Sequence, residues 1–374
     1  MKWLHTADWQ IGRIHGFASD GDGRDPNPAL AAARFEVVER LAALARGEAV
    51  DAVFVAGDVF DQQGVADTTL RRLVNAMQGF EGPWLLLPGN HDAALADSVW
   101  KRLQRLAILP ANVHLLLEPG VREFPEAGFA VLAAPLVQRH TRDDLTAWFD
   151  GAETPAGLAR VGIAHGSVAG VLPEAADSPN PVAAGRAASA RLDYLALGDW
   201  HGARRVDGRT WYSGTPEQER FKDNDPGNVL LVELDAPGAE PRVRSQRVGR
   251  FRWHECSRRI DGSAALDDLA TELARFGPDD VLRLSLAGML DVAGNARLGD
   301  VLDAARARLH VLEADASALR LEPTAADLAA LQVDGVLAGL VEELRGMQEP
   351  AGSQVAGEAL KILFDAVRRR RIGA

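Results

Sequence analysis

Trp84-Leu-Leu-Leu-Pro-Gly-Asn-His-Asp92 decides how the rest of this chain is read. It is an apolar run of strand length, stopped at Pro88-Gly89, that then presents Asn90, His91 and Asp92. Apolar strand, tight turn and polar cluster is how an α/β sheet delivers chemistry to the carboxyl ends of its strands. Four other apolar runs stop the same way. Leu4–Ala7 precedes Asp8-Trp9-Gln10, Asp51–Ala56 precedes Gly57-Asp58, Ala159–Ala164 precedes His165-Gly166, and Tyr194–Leu197 precedes Gly198-Asp199-Trp200-His201.

The polar residues at these ends are Asp8, Gln10, Asp58, Asn90, His91, His165, Asp199 and His201. Carboxylate, amide oxygen and imidazole are the ligand types for oxygen- and nitrogen-loving divalent ions. Five strands of a twisted sheet bring their carboxyl ends into one crevice. About seven such ligands suit two cations roughly 3.5–4 Å apart that share a carboxylate. Singly, each residue has a plainer reading: a helix cap, a closed turn, a satisfied histidine. Five ends drawn together from the ligand alphabet outweigh those readings.

The 374 residues, 47% hydrophobic and 25% charged, allow one large domain and one or two smaller ones. A formal charge of −12 argues against a generally basic nucleic-acid binder. Local patches stay open: Arg204, Arg205 and Arg209, the run Arg242, Arg244, Arg247, Arg250 and Arg252, and Arg368–Arg371. Their plain reading is solvated surface. One cysteine, Cys256, excludes an internal disulfide. No stretch approaches the roughly 18–20 apolar residues of a membrane span, and Met1–His5 lacks a leader's apolar core. The expectation is a cytoplasmic protein with no membrane association.

Helices are expected over about Ala29–Arg46, Ala66–Met77 and Asp97–Leu106, with a short one at Asp143–Phe149. Val113–Leu117 and Phe129–Ala133 read as further strands, Trp211-Tyr212 and Asn228–Leu234 as antiparallel strands of a second sheet. Composition shifts near residue 250. Val281–Ser285, a helix over Leu298–Leu309, and Ala318–Leu321 suggest a small β-α-β unit. Two helical segments, Ala325–Met347 and Gln354–Arg371, follow Pro323.

Five motifs carry a resemblance. His5-Thr-Ala-Asp8-Trp, Gly57-Asp58-Val-Phe-Asp61, Gly89-Asn90-His91-Asp92, His165-Gly166 and Gly198-Asp199-Trp-His201 resemble those of the calcineurin-like metallophosphoesterases. The first two resemble in particular the DNA double-strand-break repair nucleases, the branch that includes bacterial SbcD. The likeness covers about residues 1–235. It implies an α/β fold, a four-layer α/β/β/α sandwich over residues 1–250. A small α+β capping domain over 251–322 and C-terminal helices over 323–374 would follow. Carried over by position, Asp58 would bridge two divalent metals. Asp8, Gln10 and His201 would complete the first position, Asn90, His165 and Asp199 the second. His91 would be the catalytic histidine that binds no metal.

Gln10 and Asp199 stand where the family usually has histidine. An amide oxygen and an added carboxylate make a more oxygen-rich, more anionic site, which favours Mn²⁺ or Mg²⁺ over Zn²⁺. The implied function is a metal-dependent DNA exo- or endonuclease. The alternatives are a phosphatase or small-molecule phosphodiesterase of the same fold, or a scaffold that binds DNA ends or an ATPase without cutting. The implied partners are DNA, an SMC-like P-loop ATPase gripped by the C-terminal helices, and a second copy of the chain. Ala329, Leu331, Val333, Val336, Leu337, Leu340, Val341 and Leu344 give those helices a wide apolar face, equally suited to packing on the protein itself. The remaining histidines are read as structural or solvated, apart from His15, which is left open.

Overall fold

Strands apolar at every position must be covered on both faces, and the alternation of their side chains shows how. In the computed structural model, which describes residues 1–19, 23–171, 180–222, 224–324, 335–347 and 353–372, Trp3 of β1 (Lys2–Thr6) and Leu4 beside it face opposite ways into two different cores. β1 lies parallel to β2 (Ala52–Val55), which leads to β3 (Trp84–Leu86) and β4 (Val113–Leu115). On the other side of β1, β13 (Asn228–Glu233) and β14 (Arg242–Arg247) pair antiparallel and complete a six-stranded sheet. The second six-stranded sheet runs β11 (Arg204–Arg205), β12 (Thr210–Tyr212), β10 (Tyr194–Gly198), β7 (Ala159–His165), β6 (Phe129–Ala134) and β5 (Gly120–Phe124).

Trp3, Phe54 and Leu85 from the first sheet meet Phe129, Val161, Ile163 and Tyr194 from the second, so the sheets pack face to face. The outer face of the first sheet, with Val53, Val55 and Trp84, is covered by α1 (Asn27–Gly47), α2 (Asp67–Met77) and α3 (Val99–Arg105). The outer face of the second is covered by the short α4 (Arg186–Ser189) and the 3₁₀ turn Ala147–Gly151. This is the four-layer α/β/β/α arrangement.

Two expectations need correcting. Asn228–Glu233 joins the first sheet, pairing antiparallel with β1, not the second; its apolar centre requires cover on both faces without specifying the neighbour. The five motif-bearing strands are shared between the sheets, with β1, β2 and β3 in one and β7 and β10 in the other. The crevice therefore lies where the ends of two facing sheets meet.

Residues 1–19 and 24–251 form one compact unit, and the chain from Arg252 on contributes to another. The latter holds a parallel sheet of β15 (Arg252–Asp261), β16 (Asp280–Leu290) and β17 (Val311–Leu321), connected through α5 (Ser263–Leu273) and α6 (Val292–Arg306). It is thus a β-α-β-α-β unit, one strand and one helix larger than expected. Helices Gly335–Gly346 and Ser353–Ile372 follow, sharing with Leu321 a small core of Val341, Leu360 and Phe364. Of the apolar face read from the sequence, Leu340 is exposed, Val341 buried and Leu344 packed against that core. Ala329, Leu331 and Val333 lie outside the described residues, as do the side chains of Val336, Leu337 and Arg368–Arg371.

Candidate metal centre

At the end of β1 the chain turns sharply through Asp8 and Gln10, at the end of β2 through Asp58, and at the end of β10 through Asp199. Their φ angles are 54°, 51°, 52° and 98°, four of the eight positive values among the described non-glycine residues. Left-handed backbone at non-glycine residues costs on the order of 1–3 kcal/mol each and gathers at functional sites. Two glycines make room for the convergence. A Cβ on Gly57, itself at φ 94°, would collide with the His165 ring, and one on Gly89 with Asp58.

The turns bring one ligand atom each from Asp8, Asp58 and His165 within 4.8 Å of one another, all three residues being buried. His165 Nδ1 lies 2.8 Å from the Ala56 carbonyl, which can only accept, so Nδ1 carries the proton and donates it. Nε2 then faces three oxygens: Asn90 Oδ1 at 2.9 Å, Asp58 Oδ1 at 3.6 Å and Asp199 Oδ1 at 3.7 Å. Burial alone would lower the His165 pKa. The carboxylates of Asp58, Asp8 and Asp199 outweigh burial and raise it to about 9. Asp8 is raised to about 6 by burial, reinforced by Asp58 and Asp199 against the pull of His201 and His165. The arrangement calls for positive charge between its members.

Gln10 shows the same demand. Its Nε2 donates to Asp58 Oδ2 at 3.0 Å, which leaves Oε1 buried without a partner. A buried acceptor costs about 1–3 kcal/mol when unmet. Unpartnered amide oxygen, converging carboxylates and an imidazole whose Nδ1 is committed to a backbone carbonyl are together the donor set of a hard divalent cation, and the residues fit one.

His201, on the turn after β10, points Nε2 toward Asp8 Oδ1 at 4.0 Å while its Nδ1 meets Glu219 Oε1 at 2.6 Å. Asp199 donates its backbone N–H to Asp8 at 3.2 Å. His91 is held by two contacts: its backbone N–H donates to Asp58 Oδ1 at 2.9 Å, and its Nδ1 donates to the Asp61 carbonyl at 2.7 Å. Its Nε2 stands 4.0 Å from Asp58 Oδ2 on a side chain 30% exposed, the most open of the histidines expected at the site. Below them Asp92 accepts from the backbone N–H groups of Phe60 and Gly89, tying the second motif to the third. All eight residues singled out from the sequence thus lie at one place, joined through Asp8 and Asp58.

Sequence reasoning missed Glu219, which is 4% exposed and surrounded by His201, Arg34 and Arg13. Burial would raise its pKa, but His201 and the two arginines hold it well below the usual carboxylate range. In the run Pro216-Glu-Gln-Glu-Arg220 nothing distinguishes a buried acid from a solvated one. His15 stacks on Phe17, and burial with Arg34 and Arg13 nearby lowers its pKa to about 4. His5 sits deeper, sharing its ring nitrogens between Tyr194 Oη at 2.9 Å and the Leu197 carbonyl at 3.2 Å.

Several surface arginines read as possible patches are partnered. Arg209 reaches Asp193, Arg242 reaches Asp235, Arg244 reaches Glu48 and Arg250 reaches Glu36. Among the described residues, no helix is long and apolar enough to cross a membrane.

Known proteins share parts of this chain. Residues 1–171 match the family model described as calcineurin-like phosphoesterase. A stretch of 100 residues is 35% identical to the D subunit of the SbcCD nuclease of Rhodobacter capsulatus, covering 25% of this chain and 22% of that relative. The match therefore spans about a fifth of the relative's length. The crystal structure of TT1561 of Thermus thermophilus superposes with a TM-score of 0.41 at 12% identity, over 66% of this chain and 98% of that one.

Proposed function

We propose that the chain, whose residues 1–171 match the calcineurin-like phosphoesterase family, is a metal-dependent phosphodiesterase acting on DNA. One observation carries the chemistry: three side-chain oxygens converge on His165 Nε2 beside an unpartnered Gln10 oxygen. The local likeness to a protein named as part of a nuclease supports DNA as the substrate.

Asp8, Gln10, Asp58 and His201 would hold one divalent ion and Asp58, Asn90, His165 and Asp199 a second, Mn²⁺ by preference and Mg²⁺ next. Bound there, the ions would supply an acidified water and charge against the phosphoryl oxygens, and would let a phosphate approach a protein of net charge −12. The chain's own residues do the rest. His91, with Nδ1 committed to the Asp61 carbonyl, offers Nε2 at the open side of the site, where it can give a proton to a leaving oxygen. Asp61 pairs with Arg13 at 3.2 Å, which steadies the loop carrying that carbonyl.

The reading extends to the rest of the chain as proposals: a cytoplasmic enzyme, a cap over 251–322, and homodimerisation. The C-terminal helices would grip an SMC-like P-loop ATPase; the relative's name, which makes it one part of SbcCD, supports a complex.

Mn²⁺-dependent cleavage of a labelled linear duplex tests the function. The wild type should cut, and His91→Ala should lose roughly 100-fold or more in rate while still binding Mn²⁺ in calorimetry. Cleavage of bis-p-nitrophenyl phosphate without duplex cleavage would replace the nuclease by a small-molecule phosphodiesterase. Metal binding with neither activity would favour the scaffold.

A further inference from the structure

Glu219 lies outside every motif of the site, yet it ties three of them together. Its Oε1 lies 2.6 Å from His201 Nδ1, an ion-pair contact that falls short of hydrogen-bond alignment, and its Oε2 meets both Arg34 and Arg13 at 3.2 Å. Arg34, buried on α1, donates through Nη1 to the carbonyl of Trp9 at 2.8 Å, the residue between Asp8 and Gln10. Arg13 reaches Asp61, whose carbonyl receives His91 Nδ1. One carboxylate thus sits behind the first, second and fifth strand ends, and its own side chain is only 2% exposed.

We propose that Glu219 is the positioning residue of the first metal position, fixing His201 in the tautomer that turns a free Nε2 lone pair toward Asp8. The inference rests on the two-metal reading and adds to it a residue that touches neither metal nor substrate. A carboxylate only accepts, so the nitrogen facing it must carry the proton, and Nε2 is left as the donor atom. Such outer carboxylates hold a ligand ring in orientation, and losing one typically lowers metal affinity 10–100-fold. This position should depend on Glu219 more than the second does, because His201, the imidazole that Glu219 meets, belongs to the first position alone. His165, at the other position, takes its orientation from the Ala56 carbonyl instead.

Titration of the full-length protein with Mn²⁺ alone tests this, comparing wild type, Glu219→Gln and Glu219→Ala. One of two Mn²⁺ affinities should fall about 10-fold in the Gln variant and up to about 100-fold in the Ala variant, the other staying within about twofold. Nitrogen NMR of the metal-free protein, at a pH high enough for His201 to be neutral, should show it protonated at Nδ1 in wild type and mixed between tautomers in Glu219→Ala. Should Glu219→Ala not fold, with Arg34 left unpaired, the isosteric Glu219→Gln decides. Equal losses at both positions would mean a structural role only and overturn the inference. Two bound ions in the wild type with unchanged affinities in both variants would overturn it while leaving the metal reading intact. A wild type that binds no Mn²⁺ would overturn both.

Discussion

His5 shows how one buried side chain sets a pH limit on the fold. Its Nε2 must donate to the Leu197 carbonyl, so the neutral ring's Nδ1 accepts from Tyr194 Oη, and burial disfavours the charge that a second proton would bring. Burial lowers its pKa to about 3, against 6.5 for the free side chain, while the Leu197 bond pulls weakly the other way. Between those two values the unfolded chain takes up a proton that the folded chain refuses. Stability therefore falls as pH drops below 6.5, by up to about 1.4 kcal/mol per pH unit from this residue. His5→Gln keeps a donor and an acceptor without a titration. Urea unfolding between pH 6.5 and 4.5 should show a shallower loss of stability in that variant than in wild type. The convergence of the candidate residues was legible because Asp8, Gln10, Asp58, Asn90, His91, His165, Asp199 and His201 each follow an apolar run, a positional signal independent of burial. Glu219 was not legible: its role comes from being enclosed, and enclosure is a property of the packing of distant segments.

Among the elements, those apolar along their length declared themselves. β2, β3 and β10 could only be buried strands. β15 hid because it is largely open: Glu255, Ser257 and Arg259 are exposed on one face, and the face that carries Cys256 and buried Ile260 also holds exposed Arg252 and Arg258, so the stretch reads as polar. Sheet membership was equally hidden, since apolar content says that β13 is covered but not which neighbour covers it. Packing behind the strand ends matters as much as the ends. Trp84, fully buried at the start of β3, meets Trp9 edge-on at 6.0 Å, and Trp9 lies between two residues of the candidate metal site. Trp84→Ala should cost about 3–5 kcal/mol in urea unfolding. It should also weaken Mn²⁺ binding in calorimetry, because the turn carrying Asp8 and Gln10 loses its backing.

At the scale of the whole molecule, each compact unit has its own apolar core, one set built from residues such as Leu4, Trp84 and Leu195, the other from Leu266, Leu284 and Leu302. Every residue of the candidate metal site and the Arg34–Glu219 pair behind it belong to the first unit. A chain ending at Phe251 should therefore fold, unfold cooperatively and bind two Mn²⁺ by calorimetry with affinities within a few-fold of full length. Capture of an SMC-like ATPase should be lost with the C-terminal helices. Failure of the short chain to fold would mean that the units do not stand alone.

The left-handed turns at Asp8, Gln10, Asp58 and Asp199 imply that fitness for catalysis and durability pull this chain in opposite directions. Without a cation the site is a place where the protein is at odds with itself, holding like charges together on strained backbone around an acceptor with nothing to accept. Asp58→Asn would tolerate the same φ and remove one charge. The disarmed protein should then outlast the natural one in chelator, melting about 2–4 °C higher for each kcal/mol relieved. Added Mn²⁺ should reverse the order, since it can stabilise only the chain that still binds it. Selection acting on heat resistance alone would erode this site first.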